Sequence, residues 1–126
     1  MKEVMAVIRM NKVNQTKRAL ASAGISSLHA KECLGRGKGL VDFNLLKGAE
    51  QGYEEAIAQL GSSQRLIPKR MISVIVPDEL VSNVVTTIIE NNQSGKAGDG
   101  KIFVLPVEDS IRIRTGENGN ITLDEA

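Results

Sequence analysis

The sequence has no tryptophan, one tyrosine, two phenylalanines, one cysteine, one histidine and three prolines in 126 residues. Each shortage excludes something. A lone Cys33 forbids an internal disulfide and any cysteine-cluster metal site, and fits a reducing, cytoplasmic setting. With Phe103 as the only aromatic on a candidate strand, the base-stacking surface of an RNA-binding sheet cannot be built. Charge of one sign is also missing: 16 Lys and Arg face 15 Asp and Glu, for a net +1. That balance argues against a nucleic-acid partner held by bulk phosphate attraction. No run approaches the roughly 18 apolar residues of a membrane span, and no signal peptide is visible. What remains is Val, Ile, Leu, Met and Ala. A chain of this length can bury roughly 65–70% of its unfolded surface as one domain, residues 1–126, without a covalent staple.

Residues 2–9 (KEVMAVIR) are short and rich in Val and Ile, and read as a strand. Residues 12–23 read as a helix, with Asn11 as N-cap and Gly24 as C-cap. Residues 25–34 are expected to be a second strand, although Ala30 and Glu32 fit a helix too. Residues 67–76 (IPKRMISVIV) form the clearest strand. Pro77-Asp78 reads as a stop and an N-cap. Val81, Val84, Val85 and Ile88 then give an i, i+3, i+4, i+7 helix face ending near Asn92. Residues 102–107 form another strand, with Pro106 favouring an edge. Residues 111–115 (IRIRT) are expected to be a last short strand, and the tail from 117 to 126 is polar and expected to be loose. The order is β-α-β, a long connection, β-α-β. Two such halves predict an α+β, ferredoxin-like sandwich, with one antiparallel sheet and two helices on one face. The open sheet face would carry apolar residues with nothing in the chain to cover them, which predicts an oligomer.

Residues 40–66 are too long for an ordinary connection, and such segments are usually functional. Within them Tyr53, Ile57 and Leu60 lie at i, i+4 and i+7. That three-residue apolar face cannot hold a helix alone but can order against a partner.

Three glycine-linked basic segments carry the possible chemistry. Residues 95–101 (GKAGDGK) nearly spell a phosphate loop, but Ile102 stands where the magnesium-binding hydroxyl belongs, and a strand follows where the motif needs a helix. Two readings stay open: a glycine-rich turn with solvated lysines, or an anion-binding concavity of backbone N–H groups with Lys101 as a point charge. Residues 35–39 (GRGKG) are either the base of a flexible loop or a second cationic contact. Arg112 and Arg114 would share one side of the last strand and form a forked clamp for phosphate oxygens. Positive charge concentrated in a near-neutral domain points to an anionic ligand, a polyphosphate above all. No acid–base constellation surrounds His29, which reads as a strand or surface residue, and Cys33 reads as a small buried one. Binding without turnover is the expectation, so the chain is read as no enzyme.

At these segments the chain resembles the PII signal-transduction family over residues 1–116. GKAGDGKIFV at 95–104 and IRIRTGE at 111–117 match the family signature. Gly48-Ala49-Glu50 and Pro68-Lys69 fit its effector loop, the T-loop, here about residues 36–67. The resemblance implies a trimer of ferredoxin-like subunits that binds ATP or ADP between subunits and senses 2-oxoglutarate, with Mg²⁺ held through the ligands. Carried over, Gly98, Gly100 and Lys101 would cradle phosphates and Arg36 would lie at the γ-phosphate side. Arg112 and Arg114 would reach in from a neighbouring subunit, and Ile75 would lie near the adenine. Lys69 would pair with a 2-oxoglutarate carboxylate, beside Gly37, Lys38 and Gly39 of the loop base. Tyr53, Ile57 and Leu60 would meet the target.

The departures matter. Gly37 replaces the family's loop-base glutamine, which helps hold Mg²⁺, so the usual effector geometry is not assured. Gln51 stands at the usual uridylylation site and Ala49 offers no hydroxyl for phosphorylation. A longer loop with these changes is similar to the nitrogenase-associated branch, in which two unlike PII chains restrain dinitrogenase when ammonium is plentiful. Expected partners are therefore a homotrimer or a mixed oligomer with a second PII-like chain, and dinitrogenase. An ammonium channel is the alternative target. A nucleotide-hydrolysing enzyme is the reading from another class, opposed by the missing hydroxyl and general base.

Overall fold

The computed structural model describes residues 1–36 and 66–123. Contacts divide the chain into one unit of Met1–Cys33 with Lys69–Ala126 and another of Leu34–Pro68. In the second unit the described residues are 34–36 and 66–68, and Leu34 and Leu66 are exposed. The expected helix through Tyr53, Ile57 and Leu60 lies outside the described residues, as do Gly37, Lys38 and Gly39.

Four strands, β1 (Lys2–Arg9), β2 (His29–Gly35), β3 (Ile67–Val76) and β4 (Lys101–Pro106), form one sheet in the order β2-β3-β1-β4. Helix α1 (Val13–Ser22) joins β1 to β2, and α2 (Val81–Asn92) joins β3 to β4. Each half therefore leaves a gap that a strand of the other half fills, which is the interleaved ferredoxin-like topology. Strand β1 is central and antiparallel to both neighbours, with Val4 opposite Val74 and Val104, and Ala6 opposite Ile72 and Ile102.

Alternation decides which face is buried. Val4, Ala6 and Ile8 of β1 and Ile72, Val74 and Val76 of β3 point under the helices and are almost wholly buried. Leu20 of α1 and Val84 and Ile88 of α2 close over them. Burying each such side chain contributes about 1.5–3 kcal/mol. One polar pair crosses this layer: buried Asn92 donates from Nδ2 to Thr16 Oγ1 at 3.0 Å and to the Ile88 carbonyl at 2.8 Å, linking α2 to α1. The other sheet face pairs Met5 with Phe103 and Glu3 with Leu105. Phe103 and Leu105 there remain 46% and 37% exposed, as the apolar open face predicted. Strand β4 is an edge, the position Pro106 favours.

Several boundaries differ from expectation. A 3-10 turn at Met10–Lys12 absorbs Asn11, and Lys12 is the N-cap of α1 with no side-chain bond. Gly24, with φ +88°, does end α1. Its N–H donates to the Ala21 carbonyl at 3.0 Å, and the Ile25 N–H to the Leu20 carbonyl at 2.8 Å, a Schellman closure that needs the left-handed residue. Ile25 is thereby folded into the core as part of the helix stop, so β2 begins only at His29. A second 3-10 turn, Asp78–Leu80, precedes α2. Asp78 makes no cap bond; its carboxylate pairs with the N-terminal ammonium and with Lys2, each at 3.1 Å.

The IRIRT segment is not a strand. Ile111 bridges Asn118, and residues 113–115 form a turn. Nor is the described part of the tail loose: Thr122 Oγ1 bonds Ser110 Oγ at 2.6 Å, Gly119 N–H donates to the Ser110 carbonyl at 3.0 Å, and Leu123 is buried. Alternating Ile and Arg imitated a strand, but Ile113 is fully exposed and Ile111 is 65% exposed. That alternation has no sheet to pack on.

Candidate functional site

Of the predicted residues, Lys69, Gly98, Gly100 and Lys101 fall in one place and Ile75, Arg112 and Arg114 in another. The first is the turn from α2 into β4. Asp99, between two glycines, accepts from the Ser94 N–H at 2.8 Å, the Gly95 N–H at 3.0 Å and the Ser94 hydroxyl. These bonds draw the turn's two ends together. Arg9, the last residue of β1, pairs with the Asp99 carboxylate and donates to the Ala97 carbonyl at 2.9 Å. Lys69, opposite Arg9 on β3, donates to the Gly98 carbonyl at 2.8 Å. Gly100 has φ +112° and packs against the Val7 carbonyl.

The two cations thus hold the carbonyls of Ala97 and Gly98. The carbonyl and N–H of a peptide unit point in opposite directions, so the N–H groups of Gly98 and Asp99 face away from these cations. Among the described residues, none accepts from the N–H of Gly98, Asp99 or Gly100. Unused backbone donors beside Lys101 are groups of the kind that bind anions. Gly100 and Lys101 also line a crevice of about 430 Å³ whose other walls include Ile8, Val85 and Ile89.

The second place is an open cavity of about 850 Å³ at the other end of β3. Ile75, His29, Ser26, Ser27, Arg112 and Arg114 line it. Arg112 is held by Glu117 at 2.9 Å and by the Ile121 carbonyl at 3.0 Å. Arg114 is exposed. Both arginines face one concavity although the strand meant to align them is absent; the 111–118 turn aligns them. Arg36 follows β2 and is exposed.

Arg9, Ser94 and Asp99 were missed by the sequence reading. An arginine ending the apolar run of β1, and an aspartate between glycines, were the available signals. His29 is exposed at the start of β2, as expected, and in addition lines the second cavity. Among the described residues no group of His, Cys, Asp and Glu could hold a metal, and no helix is long and apolar enough to cross a membrane.

The Ser94 hydroxyl, foremost, then the Ser94 N–H, Arg9 and the Gly95 N–H hold the Asp99 carboxyl far below the usual carboxylate range. A lowered folded-state value stabilises the fold fully above the ordinary aspartate pKa of about 4 and loses that contribution as pH falls below it. The thermal midpoint should therefore fall more steeply below about pH 4 in the wild type than in Asp99→Asn. Parallel slopes in a pH series of melting curves would contradict this coupling.

Known proteins are similar to this chain in sequence and fold. The sequence profile of the family Nitrogen regulatory protein P-II matches residues 1–117. A "Nitrogen fixation nifHD region GlnB-like protein 2" of Methanobacterium ivanovii is 46% identical over 119 residues, 94% of this chain and 96% of that protein. The "Nitrogen regulatory protein P-II" of Haemophilus influenzae is 40% identical, covering 93% of this chain and 95% of its own. The crystal structure of Arabidopsis thaliana PII bound to citrate superposes with a TM-score of 0.74 at 29% identity, over 99% of this chain and 91% of that one. With the interleaved sheet, the glycine turn and the arginines at 112 and 114 all falling inside the matched span, this chain belongs to the nitrogen regulatory P-II family.

Proposed function

We propose that this chain is a non-enzymatic nitrogen-status sensor that binds ATP or ADP and 2-oxoglutarate and, with a second PII-like chain, restrains dinitrogenase. The observation that carries the ligand reading is the turn of unused N–H donors at Gly98–Gly100 beside Lys101. Such a cradle fits phosphate oxygens. Ile75, Arg112 and Arg114 supply an apolar wall and two cations suited to a base and its phosphates. The two clusters share no cavity-lining residue. The site is accordingly completed between copies of the chain in a trimer or mixed oligomer, which also covers Phe103 and Leu105.

Lys69 would take the carboxylate of 2-oxoglutarate, with residues 36–39 at the loop base. A carboxylate ligand agrees with the citrate of the Arabidopsis protein. Mg²⁺ would enter through the ligands. Ligand binding would shift the population of the segment 36–67, whose Tyr53, Ile57 and Leu60 would meet the target. The nitrogen-fixation names of the relatives support dinitrogenase as that target.

The test is calorimetric titration of 2-oxoglutarate with and without Mg·ATP, into the protein alone and mixed with its PII-like partner. ATP-dependent binding is expected, in the mixture at least; no binding in either would defeat the effector reading. Lys69→Ala should weaken 2-oxoglutarate binding about tenfold or more, the loss of one charge-assisted hydrogen bond. Unchanged affinity would remove Lys69 from the effector site.

A further inference from the structure

We propose that Arg9 is the positioning residue of the anion-binding turn, holding residues 94–100 in the shape that offers their N–H groups to phosphate. This deepens the nucleotide reading above and rests on it.

Arg9 is well placed for such a role. It ends the central strand β1, which is hydrogen-bonded on both sides. The pairing with β4 stops at Val7, and Arg9 itself is anchored by its pairing with Lys69 of β3. The guanidinium is a rigid fork. Nη1 meets the Asp99 carboxylate and approaches the Ser94 hydroxyl at 3.4 Å, while Nη2 takes the Ala97 carbonyl at 2.9 Å. One side chain thus grips the beginning, middle and end of the turn.

Two consequences follow. Geometrically, the hold on the Ala97 carbonyl turns the Gly98 N–H outward, and the hold on Asp99 fixes the residue whose own N–H comes next. Electrostatically, a bare carboxylate between Gly98 and Gly100 would repel phosphate, and Arg9 compensates it. Arg9 is 28% exposed and Asp99 23%, so water screens the pair only in part. Lysine in place of Arg9 can satisfy one of these acceptors but not the fork, and glutamine supplies no charge. A preformed donor turn saves the ordering cost that a loose one would incur on binding.

The test titrates Mg·ATP and ADP calorimetrically into full-length wild type, Arg9→Gln, Arg9→Lys, Asp99→Asn and the Arg9→Gln/Asp99→Asn double variant. Amide exchange at Ser94 and Gly95, whose N–H groups bond Asp99, is followed in the free proteins. Arg9→Gln should weaken nucleotide binding about ten- to hundredfold, and Arg9→Lys should recover part of it. The Arg9→Gln effect should shrink in the Asp99→Asn background, because the carboxylate that Arg9 compensates is gone and only its hold on Ala97 and Ser94 is left to lose. An equal loss in both backgrounds would overturn the proposal by making Arg9 a direct phosphate contact, as would unaltered affinity in Arg9→Gln. If the wild type binds no nucleotide, the nucleotide reading fails. Faster exchange at Ser94 and Gly95 in free Arg9→Gln would still support Arg9's hold on the turn, and unchanged exchange would refute it.

Discussion

Gly100→Ala is expected to abolish nucleotide binding and to lower stability by about 3 kcal/mol or more. Gly100 lies at φ +112°, where side chains are strained, and a Cβ built there would stand 1.9 Å from the Val7 carbonyl oxygen. That oxygen belongs to central strand β1 and cannot retreat without breaking the ladder to β3 or β4. The turn must yield instead, and with it the direction of the N–H groups at 98–100. A drop of roughly 10 °C in thermal midpoint is expected for a domain of this size. Calorimetry with ATP, run below the lowered midpoint, separates lost binding from lost fold. Wild-type affinity in this variant would mean that the turn does not hold the phosphates.

The second large effect is expected at Arg112. Its side chain is only 10% exposed and holds the 111–118 turn through Glu117 and reaches the Ile121 carbonyl. Arg112→Ala removes a cation from the cavity and loosens the turn that carries Arg114. Nucleotide affinity should fall about thirtyfold or more, with about 1–2 kcal/mol of stability. Arg114 is exposed, so Arg114→Ala should leave the melting curve in place and weaken binding only several-fold, on the order of 1 kcal/mol. Equal melting curves for both variants would contradict the anchoring role of Arg112. Equal affinities would contradict the difference in their contacts.

The contrast between these arginines also shows what could be read from the chain. Strands β1 and β3 and helix α2 were legible because their burial is one-dimensional: Val4, Ala6 and Ile8 alternate, and Val84 and Ile88 repeat at helical spacing. The apolar open face followed from the same alternation. Where two signals overlapped, the reading slipped. Ile25 looked like the start of a strand, but it is the apolar residue that closes the Schellman stop of α1. Ile111 and Ile113 alternated with arginines without any surface to bury against. The polar tail concealed an ordered turn, because Thr122 and Gly119 bond Ser110, distant in sequence, as well as each other. Arg9 and Asp99 lie 90 residues apart, and no local pattern connects them. The glycines and lysines of 95–101 pointed to an anion; the residues that shape the turn could be found only after the sheet had brought β1 beside it.

The length of β3 has a further consequence. Lys69 and Ile75 are six residues apart on one straight strand, about 20 Å at 3.3 Å per residue. The glycine turn and the Arg112 cavity therefore sit at opposite ends of every copy. On the proposed reading a binding site is a property of a junction and not of a chain. An isolated copy would own two halves and no whole, so nucleotide should resist the dissociation of copies on dilution. In an assembly of two unlike chains, the junctions would differ in kind. The mixing ratio of the two chains would then set how many sites of each affinity a cell holds, without any change in either sequence.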